Sequence, residues 1–412
     1  MSLTPIVVDM EVAESNQQIE MELAEEISVV TGGGTDVSDT TAVEADVKEG
    51  KVFHKANGDR AVGTLAEVTE APLKDVNLID YDGTCLYSYT KAEFANLSAL
   101  PAAPTHDGLV SEGWMYTLAQ AKTQAASDGK LYVGHLYNTT DGRTRIKIRL
   151  TEGRLSPYLG LCVNGTVTVD WGDGSATSTV TGSSLTTLTN TQHTYASAGE
   201  YTIHVSVNGT ARIVGNASYG QFLWANETAS STRAKNAVYM SAIVEVNIGD
   251  DMQIGSSAFS MAYHAIVSYP SADVFATNGF GFGLSFYEIP IICLPYGLDG
   301  IGNYGISNPS VKAAQIPNTV TSLGASVFSG CNGLSSLIIP SSVTSIGATC
   351  FQNCYGLAEL HFKSATPPTV SASTAFTNLP TDCVIYVPSG SLSAYTSATN
   401  YPSSSTYTYV EE

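Results

Sequence analysis

The chain has little positive charge. Its 38 acidic residues outnumber 18 Lys and Arg among 412 residues, for a formal net charge of −20. Residues 1–70 alone hold 15 acidic and 4 basic residues, whereas residues 236–412 hold only 12 charged residues of either sign. Because nucleic-acid binding depends on neutralising phosphates with Lys and Arg, no nucleic-acid partner is expected.

Disulfide, membrane and export signals are also lacking. The seven cysteines are odd in number and not closely paired, which argues against a disulfide framework. No apolar run is long enough to span a membrane. The first residues have neither the basic region nor the apolar core of a secretory signal, so we expect synthesis and folding in the cytoplasm, without membrane insertion.

Catalytic and metal-binding motifs are lacking as well. There is no Gly-x-Ser-x-Gly elbow, phosphate-binding loop or His-Glu-x-x-His. The adjacent acids Asp250 and Asp251 do not make a glycosidase without a cleft. A zinc site from Cys350, Cys354 and His361 would not match a recognised finger spacing. The sequence therefore predicts a protein that is not an enzyme and has no cofactor and no metal.

Gly, Ser, Thr and Tyr are abundant, and long helical patterns are scarce. This composition predicts a mainly β, multidomain protein with short strands and tight turns. At the N-terminus, residues 1–31 alternate between apolar and polar side chains, as in Ile6, Val8, Met10 and Val12, which predicts a small β attachment segment. Three glycines then predict a flexible linker.

Residues 36–66 combine a helix N-cap at Asp39 with a hairpin signal at Asn57-Gly58. With Phe53 and Gly63-Thr64-Leu65, this unit resembles a small module common in bacteriophage tail-fibre proteins. The resemblance implies a role in a fibre on a phage particle. A module this small would gain stability from trimerisation or docking.

Residues 71–150 predict a hairpin that turns at Asp82-Gly83, and later a short helix from Tyr116 to Ala126. The Gly113-Trp114 pair gives this region a resemblance to the β-grasp-like repeats of bacterial surface proteins. Trp114 is then expected to anchor the core, with a ligand-binding role as the alternative.

Four cations lie at alternate positions near the end of this region: Arg143, Arg145, Lys147 and Arg149. Their spacing puts them on one face of a strand. They predict either a stripe for an anionic glycan or phosphate, or a solvated face that pairs with neighbouring acids. The second interpretation is favoured because the chain is otherwise acidic.

Residues 155–212 contain a Trp171-Gly-Asp173-Gly turn and, later, His193-Thr-Tyr and a strictly alternating run that begins at Tyr201. These motifs resemble the PKD-type immunoglobulin-like domain, a β-sandwich without catalysis. Trp171 and Tyr201 are expected to fill the core. Asp170 and Asp173 are expected to accept backbone N–H bonds in the turn, with a calcium site as the alternative.

Residues 236–412 contain repeats of about 23 residues, as Phe328 and Phe351 or Cys331 and Cys354 illustrate. The pattern resembles the BspA-type leucine-rich repeat, which implies a solenoid with a C-terminal cap. The equivalent cysteines are expected to be small buried residues in the ladder. One coil cannot bury its own apolar face, so neighbouring coils must stack.

A glycine-rich segment within this region holds Phe280, Phe282, Phe286 and Tyr287. Either these aromatic side chains pack inside a distorted coil, or they form an exposed loop that grips a sugar or a protein. We take them as the candidate receptor contacts.

Together these features predict a non-enzymatic virion fibre of a phage or prophage, located on the particle surface. Its N-terminus would attach to other virion proteins, and its repeats would bind a glycan or protein of the host surface. The fibre analogy implies a homotrimer. A head-decoration fibre, a bacterial leucine-rich-repeat adhesin and a depolymerising tail spike are the alternatives.

Overall fold

The computed structural model describes residues 73–213, 223–224, 239–240, 242–255, 258–259, 265–275 and 291–412, together with the backbone of residues 52–54 and 60–62. The chain forms two compact units, Met1–Pro72 and Leu73–Glu412. The predicted attachment segment 1–31 and the predicted helix after Asp39 lie outside the described residues.

Among the described residues, strands dominate and helices are few. In chain order the strands are β1 (Val52–His54), β2 (Arg60–Val62), β3 (Val76–Ile79), β4 (Cys85–Tyr89), β5 (Leu109–Trp114), β6 (Leu131–Thr139), β7 (Thr144–Leu150), β8 (Tyr158–Asp170), β9 (Ser178–Gln192), β10 (Gly199–Ile213), β11 (Leu223–Trp224), β12 (Ile243–Asn247), β13 (Met252–Ile254), β14 (Ile266–Ser268), β15 (Ile291–Cys293), β16 (Gly300–Ile301), β17 (Ala313–Gln315), β18 (Ser322–Leu323), β19 (Ser336–Ile339), β20 (Ser345–Ile346), β21 (Glu359–Phe362), β22 (Thr369–Val370), β23 (Val384–Val387) and β24 (Thr408–Glu411). The helices are α1 (Lys91–Ala95), α2 (Leu118–Asp128) and α3 (Leu392–Thr396), and the 3₁₀ turns are Ala272–Val274 and Ser373–Phe376.

The first unit contains an antiparallel hairpin. β1 pairs with β2, so that Val52 lies opposite Val62 and His54 lies opposite Arg60. The two strands flank the Asn57-Gly58 pair, a dipeptide that favours the tight turns of hairpins. The predicted hairpin is therefore confirmed.

A four-stranded sheet with the order β4-β3-β6-β5 opens the second unit. Its first and last strands, β3 and β6, run parallel at the centre, and an antiparallel strand flanks each. This is the strand order of a β-grasp fold, in keeping with the β-grasp-like unit that the sequence predicts, and the expected turn lies between β3 and β4. The predicted helix begins two residues late, as α2, because the Thr117 side chain caps it by accepting the backbone N–H of Gln120.

The two faces of this β-grasp sheet have different neighbours. On one face, Val76, Leu78 and Val133 are buried in one cluster with residues of helices α1 and α2. On the other face, Ile79 and Tyr132 are buried with Ile291 of β15, which belongs to the solenoid. The sheet is therefore covered on both sides.

A second, eight-stranded sheet occupies the middle of the unit. Its order is β11-β8-β10-β7-β12-β14. Strand β9 pairs with the edge of β8 opposite β10, and β13 pairs with the end of β10. The sheet joins β7 from the predicted 71–150 unit, β8–β10 from the predicted 155–212 unit and β12–β14 from the predicted 236–412 unit. Hydrogen bonding thus crosses the predicted boundaries, and the division into separate domains stays a prediction.

The C-terminal part is a solenoid of parallel strands. One ladder has the order β16-β18-β20-β22, a second has the order β19-β21-β23-β24, and β15 pairs with β17. Ser322 lies beside Ser345, 23 residues later in the sequence, so one repeat makes one coil. The mainly β fold with a C-terminal solenoid is thereby confirmed.

The ladder continues through the predicted cap. β23 lies parallel to β21, and β24 lies parallel to β23. The segment after Leu360 therefore adds β22 to one ladder and β23 and β24 to the other, although its sequence departs from the repeat pattern.

One continuous apolar core runs through the central sheet and the solenoid. A single cluster of buried side chains extends from Ile146 of β7 to Tyr395 of α3. Strands β12 and β14 are parallel and about one repeat apart, with Glu245 beside Ile266, and they mark the first coil of the array. In this coil β12 pairs with β7 and β13 pairs with β10, so the central sheet covers the N-terminal end of the solenoid. Among the described residues, no helix is long and apolar enough to cross a membrane.

Candidate binding face

The ladder β19-β21-β23-β24 presents a regular outward surface, which we call the binding face. In β21, Leu360 and Phe362 are buried in the solenoid, whereas Glu359 and His361 point outward. Alternation along a strand produces this division. Because the strands are parallel and in register, each outward position recurs on the next coil as a row.

The central row of the binding face runs Ile338, His361, Tyr386 and Val410, one residue from each strand. Ring stacking fixes the middle of this row. The rings of His361 and Tyr386 are 4.3 Å apart and nearly parallel, with an interplanar angle of 5°. The row therefore presents a fixed set of side chains.

His361 is held by two carboxylates. Its Nδ1 lies 3.1 Å from Glu412 Oε2, and its Nε2 lies 3.5 Å from Glu359 Oε2. The other Glu412 oxygen accepts from Lys363 Nζ at 2.5 Å. Partial burial of Glu412 disfavours its charged form, but the hydrogen bonds from Lys363 and His361 outweigh this effect and lower the pKa of its carboxyl.

This polar group can donate and accept hydrogen bonds at positions fixed by the ladder. Ser336 and Thr408 extend it with exposed hydroxyl groups on the first and last strands. Its donors and acceptors suit a hydroxyl-rich ligand or a polar protein surface. Among the described residues, no cluster of three or more His, Cys, Asp or Glu is arranged to hold a metal ion.

The earlier strands of the solenoid are covered by the β-grasp sheet. A Cβ atom at Gly134 of β6 would lie 2.8 Å from Cys293 Cβ of β15, so only glycine allows this approach. Gln315 of β17 donates from Nε2 to Asp128 Oδ2 at 2.7 Å, at the end of α2. The strands of the binding face, β19, β21, β23 and β24, follow these covered strands in the chain.

The candidate receptor contacts Phe280, Phe282, Phe286 and Tyr287 lie outside the described residues. They remain predictions. The binding face depends on other residues, namely Glu359, His361, Tyr386 and Glu412. In the sequence, these residues can be recognised only by their outward positions on consecutive strands. This requires that β23 and β24 be aligned with the repeats as further coils.

The structure brings the predicted Trp171 motif together around one turn. Trp171 is fully buried, and its indole N–H donates to Ser178 Oγ at 2.9 Å. Its ring stacks on His193 at 5.1 Å, and His193 Nε2 lies 2.7 Å from Asp173 Oδ2. Tyr201 is half-buried and packs against the same core.

Both predicted turn carboxylates accept backbone hydrogen bonds. Asp170 accepts the N–H of Gly172, and Asp173 accepts the N–H of Ser175, each at 3.0 Å. This is the turn chemistry that the sequence predicts, and it accounts for both residues without a bound ion.

The predicted repeat residues are stacked between coils. The rings of Phe328 and Phe351 are 5.9 Å apart with an interplanar angle of 10°. Cys354 Sγ donates to the carbonyl oxygen of Phe328 at 3.0 Å, and Cys331 Sγ donates to that of Ile306 at 3.2 Å. Burial raises the pKa of the Cys331 thiol to about 12, so it is a structural residue and not a nucleophile.

The four alternating cations pair with nearby acids. Arg143 and Arg145 contact Asp141, whereas Lys147 and Arg149 contact Glu200 on the adjacent strand β10. These contacts support the interpretation as a paired, solvated face. Trp114, the other alternative ligand contact, is half-buried and donates from Nε1 to the carbonyl oxygen of Pro101 at 2.8 Å, which supports its role as an anchor.

Comparison with protein families identifies residues 284–392 as a BspA-type leucine-rich repeat region, in six copies. A solved leucine-rich repeat protein from Bacteroides ovatus is 21% identical over 37% of this chain, with a TM-score of 0.25. This chain spans 47% of that protein. These values are too low to support a conclusion about function. No curated protein matches the chain.

Proposed function

We propose that the protein is a non-enzymatic adhesive repeat protein that holds its ligand on the binding face. The observation that carries this proposal is the ordered group of Glu359, His361, Tyr386 and Glu412 on consecutive parallel strands. The BspA-type repeats are in keeping with a surface or adhesin-type protein. A solenoid serves this purpose because each coil adds one row of side chains to an extended surface.

The ligand that we propose is a glycan or a protein of a host cell surface. Hydroxyl groups, carboxylates and an imidazole can each hydrogen-bond to sugar hydroxyl groups. The absence of a recognised catalytic motif in the sequence supports binding without turnover.

The finer proposal is a phage or prophage virion fibre whose N-terminal segments attach to the particle. It is supported by the resemblance of residues 36–66 to a tail-fibre module, together with the hairpin β1–β2 found there. The fibre analogy predicts a homotrimer. A head-decoration fibre shares these features, and a bacterial leucine-rich-repeat adhesin is compatible with the repeats.

The binding proposal is tested with the full chain on arrayed bacterial surface polysaccharides and on whole bacterial cells. We expect Glu359→Ala combined with Tyr386→Ala to weaken binding about tenfold or more, because both side chains belong to the binding face. Tyr355→Ala is the matched control, since Tyr355 is 60% exposed and lies outside that face. Equal binding by the face variant would overturn the proposal, as would release of oligosaccharides from the polysaccharides.

The virion proposal is tested by immunogold electron microscopy of phage particles with antibodies against the full chain. Label at the tail tip supports a receptor-binding fibre, and label on the head supports the decoration alternative. Label confined to the bacterial surface would instead establish the adhesin.

A further inference from the structure

Among the described strands, the long strand β9 has a partner on one edge alone. It pairs with β8 over Val163–Val169 and again over Tyr158–Cys162, and no described residue pairs with its other side. An antiparallel edge strand directs alternate backbone N–H and C=O groups away from its neighbour. These groups form a template on which one more strand can add.

This edge lacks most of the features that usually prevent strand addition. Residues Ser178–Gln192 include no charged residue and no proline. Natural edges are commonly protected by charge, proline, bulges or shortness. Here only a bulge between Ser184 and Leu188 interrupts the strand, which leaves Ser178–Ser184 as a regular seven-residue edge.

We propose that this edge pairs with the same edge of a second copy of the chain. The two strands would run antiparallel about a two-fold axis, since a self-complementary contact requires that symmetry. With Thr181 on the axis, Thr179 lies opposite Ser183, and Val180 lies opposite Gly182. Facing Thr and Ser hydroxyl groups are favourable cross-strand neighbours.

The distribution of charge favours the association of two copies at the β9 edge. Each copy carries a formal net charge of −20, so two copies repel one another overall. The β8–β9 hairpin carries little of this charge, because Asp170 is the single charged residue within its two strands and Asp173 lies in the turn between them. Two copies can therefore approach here without bringing like charges together.

The side chains at the edge allow the approach. Thr179, Thr181 and Ser183 are exposed on one face of β9, whereas Val180 is buried in the core on the other. An added strand would thus extend the central sheet while leaving its core unchanged. Affinity would come from main-chain hydrogen bonds, as in other cases of strand addition.

The test is the mass of the full chain in solution, measured by sedimentation velocity over a range of concentrations. We expect a concentration-dependent two-chain species, and we expect Thr181→Lys to weaken self-association about tenfold or more, because two lysines would meet at the axis. Thr187→Lys is the matched control, since it makes the same change at an exposed residue in the bulge of the same strand. It should associate like the unmodified chain.

Hydrogen exchange supplies a second readout. Amide protons of residues 178–184 should exchange more slowly at high concentration than at low concentration, whereas those of residues 188–192 should change less. A chain that remains monomeric at about 100 µM would overturn the proposal. A three-chain species unaffected by Thr181→Lys would also overturn it, and would favour the fibre analogy instead.

Discussion

Individual side chains around Trp171 fix a turn that the backbone alone would not hold. Tyr195 donates from its hydroxyl group to the carbonyl oxygen of Trp171 at 2.9 Å, and His193 links the indole ring to Asp173. Partial burial of Asp173 disfavours its charged form, but hydrogen bonds from Ser175 and His193 outweigh this effect and lower its pKa to about 2.

This lowered pKa predicts a particular dependence of stability on pH. An unfolded Asp has a pKa of about 3.9, so the contribution of Asp173 is complete above that value and is lost as the pH falls towards about 2. We expect Asp173→Asn to reduce the change in unfolding free energy between pH 5 and pH 2, measured with urea. Asp107→Asn, at an exposed loop residue, serves as the control for the substitution itself. Identical pH profiles for Asp173→Asn and the unmodified chain would contradict this account.

The phenylalanine ladder gives a second prediction at the scale of the residue. Phe351 is fully buried between Phe328 and Phe376, with ring centroids 5.9 Å and 5.5 Å away. We expect Phe351→Ala to reduce the free energy of unfolding by about 3–5 kcal/mol, because it removes a large core side chain and leaves a cavity. Urea denaturation measures this change. Tyr355→Ala, four positions away and exposed, should cost less than about 0.5 kcal/mol.

The sequence predicted the buried residues better than the outward residues of the ladder. Phe328, Phe351, Cys331 and Cys354 recur at a fixed spacing, because burial in every coil selects the same type of side chain. Outward residues are under no such restriction, so Ile338, His361 and Tyr386 share a row without sharing chemistry. Their grouping becomes visible only through the register of the strands.

Among the elements, α2 connects the β-grasp sheet to the solenoid through a buried polar network. Asp128 accepts hydrogen bonds from Gln124 of its own helix, from Ser127 Oγ at 2.6 Å, and from Gln315 of β17 at 2.7 Å. The side-chain Oε1 of Gln124 in turn accepts the backbone N–H of Asn318 at 3.3 Å. Asp128, Gln124 and Gln315 are all buried, so each depends on the others for its hydrogen bonds.

Removal of the central carboxylate should therefore loosen this contact. We expect Asp128→Ala to cost about 1–3 kcal/mol for each buried amide left without a partner. Hydrogen exchange should become faster in α2 and in Ala313–Gln315, with a smaller change in β20 and β22. Asp107→Ala serves as the control. Unchanged exchange at α2 would mean that apolar packing alone holds the two parts together.

Local elements were predictable where local chemistry determines them. The turn at Asp82-Gly83 and the start of α2 follow from turn and capping residues next to them in the sequence. The partner of β7 was not predictable in this way. Its pattern of Ile146, Ile148 and Leu150 predicts a half-buried strand, but the pairing with β10 and β12 depends on residues far along the chain.

At the scale of the whole molecule, the shared core makes the second unit cooperative. The buried cluster continues from the central sheet into the solenoid, and the first coil pairs directly with β7 and β10. We expect residues 73–412 to unfold in one calorimetric transition. Two well-separated transitions would show that the sheet and the solenoid are energetically independent.

The same continuity predicts the behaviour of a shortened chain. A fragment of residues 236–412 would expose the apolar residues of its first coil, including Ile243, Val246 and Met252, which the central sheet normally covers. We expect it to melt at a lower temperature than residues 73–412 and to bind a hydrophobic dye more strongly. Terminal coils of repeat arrays need such covers. Equal melting temperatures would contradict this prediction.

The β-grasp sheet covers β15 and β17 and so fixes the N-terminal end of these ladders. Further coils can be added only towards the C-terminal end. A coil duplicated between β19 and β23 would shift β24 outward by one strand spacing, about 4.8 Å, and would add one residue to every row. The contact between Gly134 and Cys293 would be unaffected, as would the network around Asp128. Gene duplication within the array can thus enlarge the outward surface of this ladder, while the part that anchors the array keeps its sequence.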